Sequence, residues 1–296
     1  MLDLITKEGK RVGRVNYETF HEVTGNPTKG GWDNAFLIGI RSATGIAAET
    51  QILGQGSRIG KCTFAGARDI QGAMVPGTSM QGSSHFTWHG ATGTRVQPRP
   101  LWEFTFSHPN GITIDGAVYK SPKIRCDRDY PGRPNSVGCV FPQQHADTWA
   151  GAGRAPWWSS HVAIAQGSGL PVSLHRATAA QRAANRAAAC TTAPRPRPTA
   201  PGGTEKLECD EYPFASAAEG AAAATGTVRV PSLLNYDGTP YCGMPPTTVQ
   251  TGEGGWSICL IPATDNNAGG QLLNNLYKAY RVIPGDEFSI RIAFDT

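Results

Sequence analysis

Residues 209–220, CDEYPFASAAEG, set two adjacent carboxylates, Asp210 and Glu211, between a cysteine and a Tyr-Pro turn. A third carboxylate, Glu219, follows eight residues later. The chain is only 17% charged, so this crowding asks for a reason. Two readings are open from the residues alone: a solvated turn, or a group that holds a cation and handles protons. A carboxylate can take a proton from water. Hard cations such as Mg²⁺ prefer oxygen ligands and keep several waters, so two or three carboxylate or amide oxygens suffice. Asp210, Glu211, Glu219 and the more distant Asn266 are groups of that kind. On exposure alone, acids clustered at a proline turn belong more often to a surface than to a site.

The totals narrow the setting. A chain of 296 residues, 39% hydrophobic and rich in Gly and Pro, is long enough for one large domain or two ordinary ones. No run of eighteen apolar residues occurs, so no membrane span is expected. The first fifteen residues are too charged for a signal-peptide core, so an exported protein would carry its signal outside this sequence. The net charge of +4 is uneven. Residues 1–136 hold 16 Lys/Arg against 11 Asp/Glu, and the remainder holds 11 against 12. An argument from bulk basicity for nucleic acid therefore rests on the half without the acidic motif.

Seven cysteines form no CxxC pair, which argues against a zinc ribbon. They group as sequence neighbours, each closing a Pro/Gly-rich loop: Cys126–Cys139, Cys190–Cys209 and Cys242–Cys259. That reads as a disulfide framework and an oxidising compartment. Cys62 is left over.

The texture changes along the chain. Residues 1–30 form an extension that the sequence does not place. Residues 31–125 read as a β-rich, sandwich-like domain, with strands at 35–42, 83–90, 101–108 and 111–120. Residues 54–61, GQGSRIGK, match no Walker loop and read as a turn between strands. Residues 126–296 read as α+β. Helices are expected over 159–168 and 177–190, and a Pro/Gly linker over 191–208. A short strand follows at 225–233, then a loop or hairpin over 235–265. A helix over 267–282 has Leu272, Leu273, Leu276 and Tyr280 on one face, and a strand closes the chain.

Histidine placement matters for the chemistry. His85 and His89 are four apart, but their flanks favour a strand, on which the rings would lie about 13 Å apart and could not share an ion. Residues 191–296 contain no histidine. A base at the acidic motif must therefore be a carboxylate, or His161 must reach in from the preceding helix. No G-x-S-x-G motif is present.

The acidic motif resembles the signature of the NucA/NucB family of secreted bacterial deoxyribonucleases, with its Asp-Glu-aromatic-Pro-x-Ala core and trailing Glu-Gly. ATDNNAGGQLLNNLYKAYRVIPGDEFSIRI (263–292) resembles the family's second block, and residues 159–190 its preceding helix–strand–helix segment. Residues 124–142 are similar to the lead-in of actinobacterial members. The resemblance spans roughly residues 125–296. It implies an α+β nuclease domain similar to the ββα-metal nucleases, and a secreted, non-specific DNase that uses Mg²⁺ or Mn²⁺. By position, Asp210 is implied as the base that activates water, Glu211 as a second catalytic carboxylate, and Asn266 and Glu219 as metal ligands. His161, Asn267, Gln271, Lys278 and Arg281 are implied as supporting or DNA-contacting groups. His161 is open to the plainer reading of a packed helix histidine. The helix start here is AGGQ (268–271), where many relatives have Gln-Gly-Gly, so Gln271 is shifted. Two other functions are weighed: a nuclease toxin held in check by an immunity or inhibitor protein, and a non-catalytic secreted binding protein. The β-rich half, with its +5 excess, has DNA, cell wall or a protein as candidate partners.

Overall fold

Alternating side chains dominate the first half, and they pair into strands. The computed structural model describes residues 1–111, 113–133, 135–142, 146–190, 199, 204–225, 228–229 and 254–293. They form two units, Met1–Phe141 and Pro142–Thr296.

The first unit contains β1 (Leu2–Ile5), β2 (Arg11–Gly25), β3 (Gly31–Gly45), β4 (Gln51–Ile59), β5 (Thr63–Arg68) and β6 (Ile70–Ala73). It continues with β7 (Ser79–Thr87), β8 (Arg95–Val96), β9 (Arg99–Ser107), β10 (Thr113–Lys120), β11 (Arg125–Asp127) and β12 (Gly138–Val140). A five-stranded sheet, β1-β2-β3-β7-β5, faces a four-stranded sheet, β10-β9-β4-β6. Phe36, Ile38 and Ile40 from one sheet bury against Ile52, Trp102 and Phe104 from the other, which makes the unit a sandwich. Residues 1–30 are part of it: β1 and β2 lie there and pair into the larger sheet. The unit runs on past residue 125 to include the β11–β12 hairpin, which Cys126–Cys139 cross-links.

One local expectation fails for a physical reason, and one holds. Residues 54–61 lie mostly in β4 rather than a turn. Gly54 and Gly56 are there because a Cβ would collide with Phe104 and Ser84 respectively. His85 sits on β7, as its flanks predict, and its Nδ1 lies 2.8 Å from Asp33 Oδ1.

The second unit is mixed α+β, with three α-helices among the described residues. Its elements are β13 (Ala146–Gly151), α1 (Pro156–Gly167), β14 (Ser173–His175), α2 (Ala179–Cys190), β15 (Leu207–Tyr212), β16 (Val228–Arg229), β17 (Trp256–Pro262), α3 (Ala263–Ala279) and β18 (Glu287–Ala293). β18 lies between β13 and β14, and β17 between β15 and β16. The loop expected over 235–265 gives way at β17, a buried apolar strand. α3 starts four residues earlier than the pattern suggests. Its buried face is Gly269, Leu273, Leu276 and Tyr277, while Tyr280 lies past the last turn and is half exposed.

Local chemistry fixes each helix beside the β15–β17 pair. Thr178 and Gln181 exchange hydrogen bonds at the start of α2, a reciprocal capping box. Asp265, in the first turn of α3, accepts the Trp157 N–H at 2.7 Å and so caps α1. A Cβ on Gly269 would strike the Trp158 ring, so glycine sets how closely α3 approaches α1. No described helix is long and apolar enough to cross a membrane.

Candidate active site

β15 reads LECDEY, and the two-residue period of a strand sends alternate side chains to opposite faces. Glu208, Asp210 and Tyr212 point to the α1/α3 face. Tyr212 joins the core there with Trp158 and Phe214. Leu207, Cys209 and Glu211 point to the α2 face, where Leu207 packs with Ala189, Ile258 and Leu260. The two adjacent carboxylates therefore do not share a face.

On the α1/α3 face, Asp210 Oδ2 lies 2.6 Å from His161 Nδ1, and His161 Nε2 lies 2.8 Å from Ser257 Oγ. Asp210 pairs with Cys259 across the strands, which makes Ser257 its diagonal neighbour on the same face. The imidazole from α1 bridges the two. Asp210 is 5% exposed, while His161 and Ser257 are each 1% exposed. His161 does reach in from the preceding helix.

Two positions before Asp210 on the same face, Glu208 is exposed, and its Oε2 accepts the Asn266 Nδ2–H at 2.9 Å. The strand rise puts Glu208 and Asp210 about 6.6 Å apart. That bond sets the Asn266 amide beside the Glu208 carboxylate, two strand positions from the buried Asp210. This is a hard-oxygen donor set, and it suits a divalent cation that keeps most of its water. Sequence reasoning missed Glu208, although strand alternation at 208 and 210 was the signal for it.

On the α2 face, Glu211 is 8% exposed, and its carboxyl is pushed up to about 7. Burial is the main cause, and the Asp210 charge adds to it. Arg186, the Ala215 N–H and Arg182 pull the other way. Glu211 Oε2 lies 3.6 Å from Cys190 Sγ. Cys190, Cys209 and Glu211 come close enough to bracket an ion, but the two sulfurs are bonded to each other and are not ligands.

The other expected residues scatter. Glu219 binds His175: its Oε1 lies 2.7 Å from Nδ1, and its Oε2 accepts the backbone N–H at 3.0 Å. Asn267 and Gln271 are exposed on α3. Lys278 is exposed three helical turns beyond Asn266, about 18 Å along the axis. Arg281 is 2% exposed and follows the helix with a φ of 50°, so it cannot lie on a DNA-contacting surface. Asn185, which the sequence did not single out, is buried in α2 and organises the motif loop. Its amide donates to the Ala215 and Ala217 carbonyls and accepts the Ala222 N–H. Gly220 is required beside it, because a Cβ would overlap the Asn185 side chain.

Cys126–Cys139 and Cys190–Cys209 are disulfides, and Cys62 is a free thiol. Cys242 lies outside the described residues, and with it the Cys242–Cys259 pairing.

No curated protein matches the chain. The family model for deoxyribonuclease NucA/NucB matches residues 161–237. The match opens on His161, takes in Glu208, Asp210, Glu211 and Glu219, and ends before β17 and α3. Over residues 161–237, this chain is similar to the deoxyribonuclease NucA/NucB family.

Proposed function

We propose that the second unit is a secreted, divalent-metal-dependent endonuclease that hydrolyses DNA phosphodiester bonds without sequence preference. The observation that carries this reading is the placement of Asp210. It shares one strand face with Glu208, which binds Asn266 of α3, is held by His161, and lies inside a segment matching a deoxyribonuclease family. β15 pairs antiparallel with β17, and β17 runs directly into α3, an arrangement similar to that of the ββα-metal nucleases.

In this reading Asp210 is the base. His161 occupies Oδ2, which leaves Oδ1 to accept a proton from the attacking water. Glu208 and Asn266 would hold the cation. Bound Mg²⁺ or Mn²⁺ supplies charge neutralisation at the phosphate and the leaving oxygen. Glu211 acts from the far face by holding the motif strand against α2. Glu219 fixes the motif loop to β14 through His175. The two disulfides support an oxidising compartment outside the cell. The absence of histidine after residue 190 fits a carboxylate in the role of base.

Supercoiled plasmid incubated with the protein tests this reading. Nicked and then linear DNA is expected with Mg²⁺ or Mn²⁺, and neither with EDTA. Undiminished cutting in EDTA, or no cutting with either metal, contradicts it.

A further inference from the structure

We propose that Ser257 is a positioning residue for the reaction, acting on Asp210 through His161; this rests on the nuclease reading above. Ser257 Oγ, His161 Nε2, His161 Nδ1 and Asp210 Oδ2 form one hydrogen-bonded chain across three elements, with links of 2.8 and 2.6 Å. The order is that of a Ser-His-Asp triad, but the accessible end is reversed. Ser257 and His161 are each 1% exposed, and Asp210 is the member nearest solvent. A buried hydroxyl cannot meet a polymer, so Ser257 is not a nucleophile. The chain is anchored at the serine and works at the aspartate.

The hydrogens fix the roles. An ionised Asp210 accepts a hydrogen bond from Nδ1–H. A neutral imidazole then presents a lone pair at Nε2, and the Ser257 O–H donates to it. With both nitrogens occupied, the ring can neither flip nor change tautomer without stranding a buried polar atom. Oδ2 is thus committed, which leaves Oδ1 for the attacking water. Removing the hydroxyl leaves Nε2 unpartnered in a dry site and the imidazole held by one bond.

The test compares Ser257→Ala and Ser257→Thr with the wild type, using Mg²⁺-dependent cleavage and ¹⁵N spectra of the histidine ring. Loss of an orienting partner typically costs about 10–100-fold. That loss is expected in kcat for Ser257→Ala, with KM within about twofold of wild type. Ser257→Thr, which keeps the hydroxyl, is expected to recover most of it. In the wild type, the His161 Nδ1 is expected to be protonated and Nε2 to be a hydrogen-bonded acceptor. In Ser257→Ala, the Nε2 resonance is expected to move toward that of a free acceptor nitrogen or of mixed tautomers. An Ala variant with kcat within about twofold of wild type overturns the proposal. So does a ring spectrum that the substitution leaves unmoved. If the wild type cuts no DNA, the nuclease reading falls, while the spectrum still decides whether Ser257 sets the ring.

Discussion

Asp210 and Glu211 are consecutive on β15, yet one meets His161 at 2.6 Å while the other lies 3.6 Å from Cys190 Sγ on the opposite face of the sheet. The pair that stands out in the sequence as a single acidic cluster is therefore two environments. One carboxylate sits at the mouth of a polar chain with Glu208 and Asn266 nearby. The other is enclosed by the disulfide and by the side of α2 that carries Arg182 and Arg186.

Replacing Glu211 by Gln should make stability less dependent on pH. The folded carboxyl titrates at about 7 against an ordinary 4.5. Between those values the folded state binds more protons than the unfolded state, so stability falls as pH rises through the window. Above about 7 the cost is fully present, at most about 3 kcal/mol. Its neighbours, Asp210, Arg186 and Arg182, stay in place in the variant. Urea melts of wild type and Glu211→Gln at pH 4.5 and pH 8 should show the variant gaining relative stability at the higher pH. Parallel profiles would count against this account of Glu211.

Opening the Cys190–Cys209 bridge should lower stability by about 3 kcal/mol, the chain-entropy value for a loop of this size. The bridge ties the end of α2 to the residue before Asp210, so activity should fall as well. The double substitution to Ser, followed by denaturant melts and cleavage assays, checks both. A double variant as stable as the parent would show that β15 needs no such anchor.

What was legible in the sequence was the local pattern. The motif, the two helices before it and the Cys190–Cys209 pairing could all be read from composition and spacing. β17 could not, because both its faces are covered. WSICLIP has no alternation, and Gly254, Gly255 and Pro262 around it look like loop punctuation. The His161 contacts span 49 and 96 residues to Asp210 and Ser257, a separation that no local spacing reveals. β2 carries charges on its outer face, which hides a long strand. Arg281 looks like a surface cation, and only the tertiary packing shows it to be buried.

The metal response should separate Glu208 from Glu219. Added Mg²⁺ should raise the melting temperature of the wild type, because an ion that binds the folded state stabilises it. Glu208→Ala and Asn266→Ala should abolish that rise and increase the Mg²⁺ needed for cleavage by about tenfold or more. Glu219→Gln should keep the rise, since its carboxylate is committed to His175. Loss of the Mg²⁺ response in Glu219→Gln, with the response kept in Glu208→Ala, would move the ion to the other carboxylate.

The role of Asp210 as base is tested most directly by Asp210→Asn in single-turnover plasmid cleavage at saturating Mg²⁺. The amide keeps the shape of the carboxylate but cannot take a proton from water, and losing a general base costs about 10²–10⁴-fold. A drop of that size, with the circular dichroism and melting curve of the wild type, is the expected result. A variant that folds and cleaves at near the wild-type rate would contradict the assignment of Asp210 as the base.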